Sequence, residues 1–252
     1  FDAMKPYFFS EYGNASQPYS FARSPKKALR EARQIIASCI NADPEEIYFT
    51  SGGTESDNWA IAMIALSSSP NRSIITSSFE HHAILRACEA AKNLGCNLNY
   101  VNPNRNGVVE PRALENILTN NVQLVSVMMS NNEIGTIQPI AELARLAHEH
   151  GALFHTDAVQ AVGHIPVDVK ALDVDMLSAS AHKFNGPKGK GFLYIKKGVP
   201  IIPYMYGGAQ EHSSRAGTEN VASIMGMAVA LKANCDKMVE HTLHVLDLEK
   251  EL

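Results

Sequence analysis

Apolar and polar positions along this chain fall into two alternating patterns. Ala28, Leu29, Ala32, Ile35, Ile36 and Cys39 recur at spacings of three and four, which predicts a helix with one buried face. Ser24-Pro25 reads as its N-cap and first helical residue, and Asp43-Pro44 as its end. Short apolar runs then predict strands at Ile47–Thr50, Ser73–Thr76, Asn97–Val101, Gln123–Met129, Leu153–Thr156, Met176–Ala179 and Gly191–Ile195. Helical patterns lie between them at Thr54–Leu66, His82–Leu94, Pro111–Leu118 and Ile140–His150, two of them stopped by Gly95 and Gly151. Near-continuously apolar strands alternating with helices mean a parallel sheet covered on both faces. The expected fold is therefore α/β, a three-layer α/β/α sandwich around a mostly parallel sheet. In such sheets ligands bind beyond the carboxyl ends of the strands.

Composition narrows the picture. The chain has 252 residues, 45% of them hydrophobic, enough for one large domain or two small ones. A net charge of -4 gives no electrostatic reason to seek nucleic acid or an anionic membrane. No apolar run is long enough to span a bilayer, and Phe1–Pro6 lacks the order of a signal peptide. Cys39, Cys88, Cys96 and Cys235 form neither a CxxC pair nor a zinc spacing, so reduced thiols in a cytoplasmic protein are expected. Residues 1–22 read as an irregular surface segment. The sequence starts without Met and ends inside a helical pattern placed at about 235–252, so a piece of a longer protein is expected.

The strand ends carry the chemistry. Ile47–Thr50 runs into Ser51-Gly52-Gly53-Thr54-Glu55 and then a helix. Glycines there let amides point at an anion, and the helix dipole favours one. A glycine turn that merely starts a helix is the plain alternative. Asp157 closes another strand, with Gln160 three residues on; it caps a helix or faces a buried cation such as a protonated ring nitrogen. Ser180-Ala181-His182-Lys183 closes a third, and a lysine flanked by small residues after an apolar strand suits a nucleophilic amine, against the commoner case of a surface lysine in a Gly-rich loop. Asn131-Asn132 follows a fourth strand. Glu80-His81-His82 follows a fifth, where His81 is a ring-stacking group or proton carrier, or simply a solvated histidine. No third residue stands at a spacing that would complete a metal site with His81 and His82, so no metal is expected. Five strand ends together supply what one cofactor needs: partners for a phosphate, a ring face, a ring hydroxyl, a ring nitrogen and an aldehyde.

Ser51-Gly52-Gly53-Thr54-Glu55-Ser56, Glu80-His81-His82, Asn131-Asn132-Glu133-Ile134-Gly135, His155-Thr156-Asp157-Ala158-Val159-Gln160, Ser180-Ala181-His182-Lys183 and Arg215-Ala216-Gly217-Thr218 occur in this order. Together they resemble the cysteine desulfurases of the nitrogen-fixation and iron–sulfur-cluster type, within the class V aminotransferase superfamily. The Asn-Asn-Glu-Ile-Gly and Arg-Ala-Gly-Thr runs favour that family over the aminotransferases and kynureninases of the same fold. The resemblance implies the large domain of pyridoxal-phosphate (PLP) fold type I, over residues 1–252. It implies L-cysteine conversion to L-alanine, with sulfur leaving as a persulfide for an acceptor or scaffold protein in iron–sulfur cluster or other sulfur-compound biosynthesis. By the same resemblance Lys183 is the Schiff-base lysine and moves the substrate α-proton. Asp157 pairs with the ring nitrogen, and Gln160 and Asn132 lie near the ring oxygen. His81 stacks on the ring and serves the substrate thiol as acid or base. Gly53, Thr54, Ser180 and His182 hold the phosphate. Thr218 reaches the phosphate in the partner subunit, which implies a homodimer.

The chain also departs from that family. The family's persulfide-forming cysteine and substrate-carboxylate arginine fall beyond Leu252, no cysteine here matches the former, and the small domain has no counterpart. PLP binding without complete sulfur transfer is expected, checked by sulfide release from cysteine. Selenocysteine lyase, another PLP lyase or aminotransferase of the fold, and a non-catalytic PLP-binding or dimerisation module are the alternatives.

Overall fold

The computed structural model describes residues 1–70 and 72–251. Its centre is one seven-stranded sheet: β1 Ile47–Thr50, β2 Ser73–Ser77, β3 Asn97–Val101, β4 Leu124–Ser126, β5 Leu153–Asp157, β6 Met176–Ser180 and β7 Gly191–Ile195. The spatial order is β1-β7-β6-β5-β4-β2-β3. The pairs β2–β3, β2–β4, β4–β5 and β5–β6 are parallel. β7 runs antiparallel to both β6 and β1, the one departure from a parallel sheet. Because β1 and β6 both oppose β7, they point the same way. The carboxyl ends of β1, β2, β4, β5 and β6 therefore open onto one edge.

Residue alternation along each strand divides the interior. Ile75, Val125, Phe154, Leu177, Phe192 and Tyr194 join one apolar core with the helices Arg23–Cys39, Ile140–Glu149 and Val221–Asp236. Their neighbours Ile74, Leu124, Met176, Leu193 and Ile195 join a second core with the helices Gly53–Ala65 and His82–Asn93. Successive side chains on a strand point to opposite faces, so nearly every strand residue is apolar when both faces are covered. The three-layer sandwich expected from the sequence is what forms.

Several boundaries differ from the sequence reading. The first long helix starts at Arg23, because a 3₁₀ turn at Ser20–Ala22 runs straight into it and leaves Ser24 inside rather than at the cap. It stops at Cys39, ahead of Asp43-Pro44, where Asn41 takes a left-handed φ of 56°. Asp43 instead opens a capping box with Glu46. β4 ends early at Ser126, since the Met128 amide turns to Glu80, although Val127 and Met129 still bond to the β5 carbonyls of His155 and Asp157. The helix from Pro111 closes at Glu115. The helical end expected at about 235–252 is the helix Met238–Glu251, and the helix Val221–Asp236 before it was not expected. The opening segment contains a one-turn helix, Pro6–Phe9, and buries Ala15 and Ala22. All four cysteines are free thiols, Cys88 and Cys96 buried and the other two half-buried.

Candidate active site

The helix from Gly53 begins directly beyond β1, and its first turn shapes the site. Gly52 has a φ of 149°, a conformation that L side chains rarely adopt. A Cβ on Gly53 would stand 2.5 Å from Val159 Cγ2, so this position is kept bare by its neighbour. Ser56 ties the turn to the sheet, with its Oγ 2.9 Å from Thr50 Oγ1 and donating to the Phe192 carbonyl at 3.1 Å. Gly53 and Thr54 at the helix start line a cavity of about 190 Å³ at the strand ends. Gly53, Thr54, Asp57, His81, Met128, Asn132, Asp157, Val159, Gln160, Ser180, His182 and Lys183 line it.

Nine of the ten residues singled out in the sequence therefore share one cavity. The tenth, Thr218, does not: it lies in a separate groove with Tyr7, Phe8, Glu11 and Val221. Asp57 and Met128 line the cavity although the sequence reading passed over them.

Each polar group is held by its own element. Ser180 closes β6, and its Oγ lies 2.9 Å from His182 Nδ1. Desolvation, then the charges of Lys183 and Lys188, lower the His182 pKa. Lys183 sits on the 3₁₀ turn Ala181–Phe184, which Asn185 ends with a left-handed φ of 64°. The Lys183 carbonyl lies 2.7 Å from His164 Nε2, which fixes the turn from outside. His81 caps the helix His82–Asn93, its Nδ1 accepting from the Ala83 amide at 3.1 Å. Asn131 is the builder of its loop: its side chain donates to the Phe79 carbonyl and accepts from the amides of Glu133 and Ile134. Asn132, beside it, is left exposed to the cavity.

The cavity floor is acidic and dry. Asp157 closes β5, and its Oδ1 accepts from the Val159 amide at 2.9 Å. Burial pushes its carboxyl above the usual range, against that amide and against His81 and Lys183, which pull it down. Asp57 lies beside it, and burial followed by the charge of Asp157 drives Asp57 well up. Glu80 is a third buried acid, raised to about 8 by burial. It accepts from the Met128 amide at 2.9 Å and from Ser77. His155, fully buried between Ser126 Oγ at 2.8 Å and Ser178 Oγ at 2.9 Å, is lowered to about 3 by desolvation and so is neutral. The only group of possible metal ligands among the described residues is Asp57, His81 and Asp157, with ligand atoms within 4.8 Å of one another.

This donor set fits PLP. Bare amides at a helix start, with Thr54, Ser180 and His182, suit a phosphate. A buried acid beneath the cavity suits a protonated ring nitrogen, and a primary amine on the wall suits an aldehyde.

Residues 1–244 match the aminotransferase class-V family. The chain is 49% identical to a cysteine desulfurase IscS from Dictyoglomus turgidum, over 100% of this chain and 62% of that protein. It is 47% identical to a protein of the same name from Methanosarcina thermophila, again over 100% of this chain and 62% of the relative. Among solved structures, a NifS-like protein superposes with a TM-score of 0.96 at 38% identity, covering 99% of this chain and 69% of the other. SspA in complex with cysteine gives a TM-score of 0.87 at 36% identity, covering 92% of this chain and 67% of the other. The chain thus spans about three-fifths of the length of these curated relatives.

Proposed function

The chain belongs to the aminotransferase class-V family, and from that premise we propose that it forms the PLP-binding large domain of a cysteine desulfurase. The observation that carries this reading is the single cavity that gathers Gly53, Thr54, His81, Asn132, Asp157, Gln160, Ser180, His182 and Lys183. When bound, PLP supplies an electron sink that labilises bonds at an amino acid's α-carbon. The protein's own groups do the rest. Amides at the start of helix Gly53–Ala65, with Thr54, Ser180 and His182, bind the phosphate. Asp157 keeps the ring nitrogen protonated from the floor. Asn132 and Gln160 would orient the ring oxygen, and His81 would stack on the ring face. The Lys183 amine anchors the cofactor and carries protons to and from the α-carbon, its turn held by the His164 contact.

L-cysteine is the proposed substrate, with sulfur passed to an acceptor or scaffold protein. The names of the desulfurase relatives and the cysteine-bound structural neighbour support that choice. A cytoplasmic homodimer is the proposed setting. Thr218 stands outside the cavity among exposed aromatic residues, where it is free to serve a second subunit. No helix of the described residues is long and apolar enough to cross a membrane.

The decisive experiment adds PLP, reduces with borohydride and maps the modified lysine by mass spectrometry. A pyridoxyl group on Lys183, lost in Lys183→Ala, is expected. Modification spread over surface lysines, with Lys183 untouched in a folded chain, overturns the proposal.

A further inference from the structure

The floor of the cavity holds one acid more than a ring nitrogen requires. Asp57 is 1% exposed and Asp157 is 4% exposed. Side-chain oxygens of the two lie within 4.8 Å of each other, and among the described residues no arginine or lysine is bonded to either. Two buried like charges at that separation are strongly disfavoured, so such a pair titrates as a unit. The partners of the two acids differ. Asp157 Oδ1 is fixed by the Val159 amide. Asp57 Oδ1 is buried without any hydrogen-bond partner. His155 Nε2 lies 3.8 Å from that oxygen, too far for a hydrogen bond, and its two nitrogens already contact Ser126 and Ser178. The Ser178 hydroxyl, which also contacts His155, approaches Asp57 as well, but burial and the charge of Asp157 outweigh it. An anion is stabilised on the acid that receives an amide, and the proton stays on the acid that a shared hydroxyl alone approaches.

We propose that Asp57 is a positioning residue for Asp157: the pair carries one negative charge, the proton stays on Asp57, and the charge is confined to the acid that the Val159 amide fixes. This rests on the PLP reading of the cavity. Its value to the site is readiness. If both acids were neutral, binding a ring cation would first require a proton to leave a dry floor. If both were ionised, the floor would repel itself. A protonated Asp57 leaves Asp157 charged and aimed before the cofactor arrives. The ionisable groups facing Asp57 agree with this assignment. Asp157 and neutral His155 face it from β5, and Glu80 and His81 from the segment after β2. Cys88 faces it from the helix His82–Asn93, its thiol pushed up to about 12 by burial. The basic chains His81 and Lys183 both act on Asp157.

Two readouts in the full chain test the pair. Infrared difference spectra at neutral pH are expected to show the carbonyl stretch of a protonated carboxyl that disappears in Asp57→Asn; Glu80 gives a band of its own, removed separately by Glu80→Gln. This measurement needs no cofactor, so it decides the proton's place even if Lys183 proves not to bind PLP. The second readout is PLP affinity against pH. Asp57→Asn, which keeps a neutral hydrogen-bonding group, is expected to hold affinity within about threefold. Asp57→Leu leaves Asp157 alone in the dry floor and raises it further, so affinity falls on the order of tenfold at neutral pH and more steeply on acidification. Thermal melting checks that both variants fold. An unchanged carboxyl band in Asp57→Asn, or an Asp57→Leu pH profile that overlays the parent, overturns the proposal.

Discussion

Glu55 and Asp57 stand two residues apart on one helix and meet opposite fates. Two residues turn an α-helix by about 200°, so the two carboxylates point to opposite sides. Glu55 faces Arg215, accepting from its Nε at 2.7 Å and its Nη2 at 3.0 Å. Burial pushes Glu55 up, but the hydrogen bonds from Arg215 and Ser51 outweigh it and hold the carboxyl below its usual range. Asp57 faces the cavity floor, meets no cation and is driven upward. The same contrast separates Glu211, paired with Arg33, from Glu80, paired with none. Two kinds of acid therefore flank the site. Glu55 and Glu211, each with an arginine, brace the loops around it. Asp57 and Glu80, without one, are pushed up by burial and hold protons beneath it.

The bracing acids are the easier half to break. Arg33 donates to Glu211 Oε2 at 3.0 Å and Oε1 at 2.9 Å, stacks 4.3 Å from the Phe49 ring centre, and bonds the Ile47 carbonyl. Glu211 also accepts from the Phe49 amide at 2.9 Å. The pair fastens a strained segment, since Glu211, His212 and Ser213 have φ values of 44°, 56° and 64°. Removing one partner of a buried pair strands the other charge. Arg33→Met is therefore expected to cost about 3–5 kcal/mol, read from urea unfolding, and to loosen the Arg215–Thr218 run that follows. A loss below about 1 kcal/mol would mean that water reaches Glu211 and that the brace is solvated.

The proton-holding acids respond in the opposite direction. Glu80 titrates at about 8 in the fold and near 4.3 when unfolded. Between those values the folded state binds the extra proton, so stability is greatest at low pH and is lost as pH rises towards 8. Glu80→Gln cannot ionise and escapes that loss. The stability of the variant relative to the parent is expected to grow by on the order of 3 kcal/mol from pH 5 to pH 8. Parallel denaturation curves at the two pH values check it. A constant difference would show that Glu80 is ionised in the fold, and the contrast with Glu211 would fail.

The sequence made the frame legible and the contrast only partly so. The central strands were readable because burial on both faces makes them mostly apolar, whereas β3, at the sheet edge, is largely exposed and was readable from its alternation of Leu98 and Tyr100 with polar Asn97 and Asn99. The helix Val221–Asp236 was not, because it is apolar nearly all round and carries no period: it packs against the helix Arg23–Cys39 and, at Gly226, against Met4. The gathering of nine site residues was legible from the strand ends alone. The pairing of Arg33 with Glu211 was not, since 178 residues separate them. Asp57 did leave a trace. Gly53, Asp57, Ala60, Ile61 and Ile64 share the buried stripe of their helix, so an acid stood at a core position in plain view.

The smallest effect expected lies at the Glu55 brace, and it sharpens the comparison most finely. Arg215 presents a planar fork to both Glu55 oxygens, and Glu55 Oε2 also accepts from the Ser51 amide at 2.9 Å. Arg215→Lys keeps the charge and loses the fork, so the expected cost is about 1 kcal/mol, limited by the pair's partial exposure. The pH dependence carries more information. The depressed Glu55 contributes stability above the unfolded carboxylate range near 4.3, and that contribution is lost as pH falls through its folded value. With lysine in place of the fork, Glu55 titrates closer to its unfolded value. The acid-side fall in stability then flattens while the alkaline side, set by the raised acids Glu80 and Asp57, stays as it was. Acid-side curves that superpose on the parent would mean that the Ser51 hydrogen bond, and not the arginine, holds Glu55 down. Glu55 and Asp57 would then be separated by backbone geometry alone.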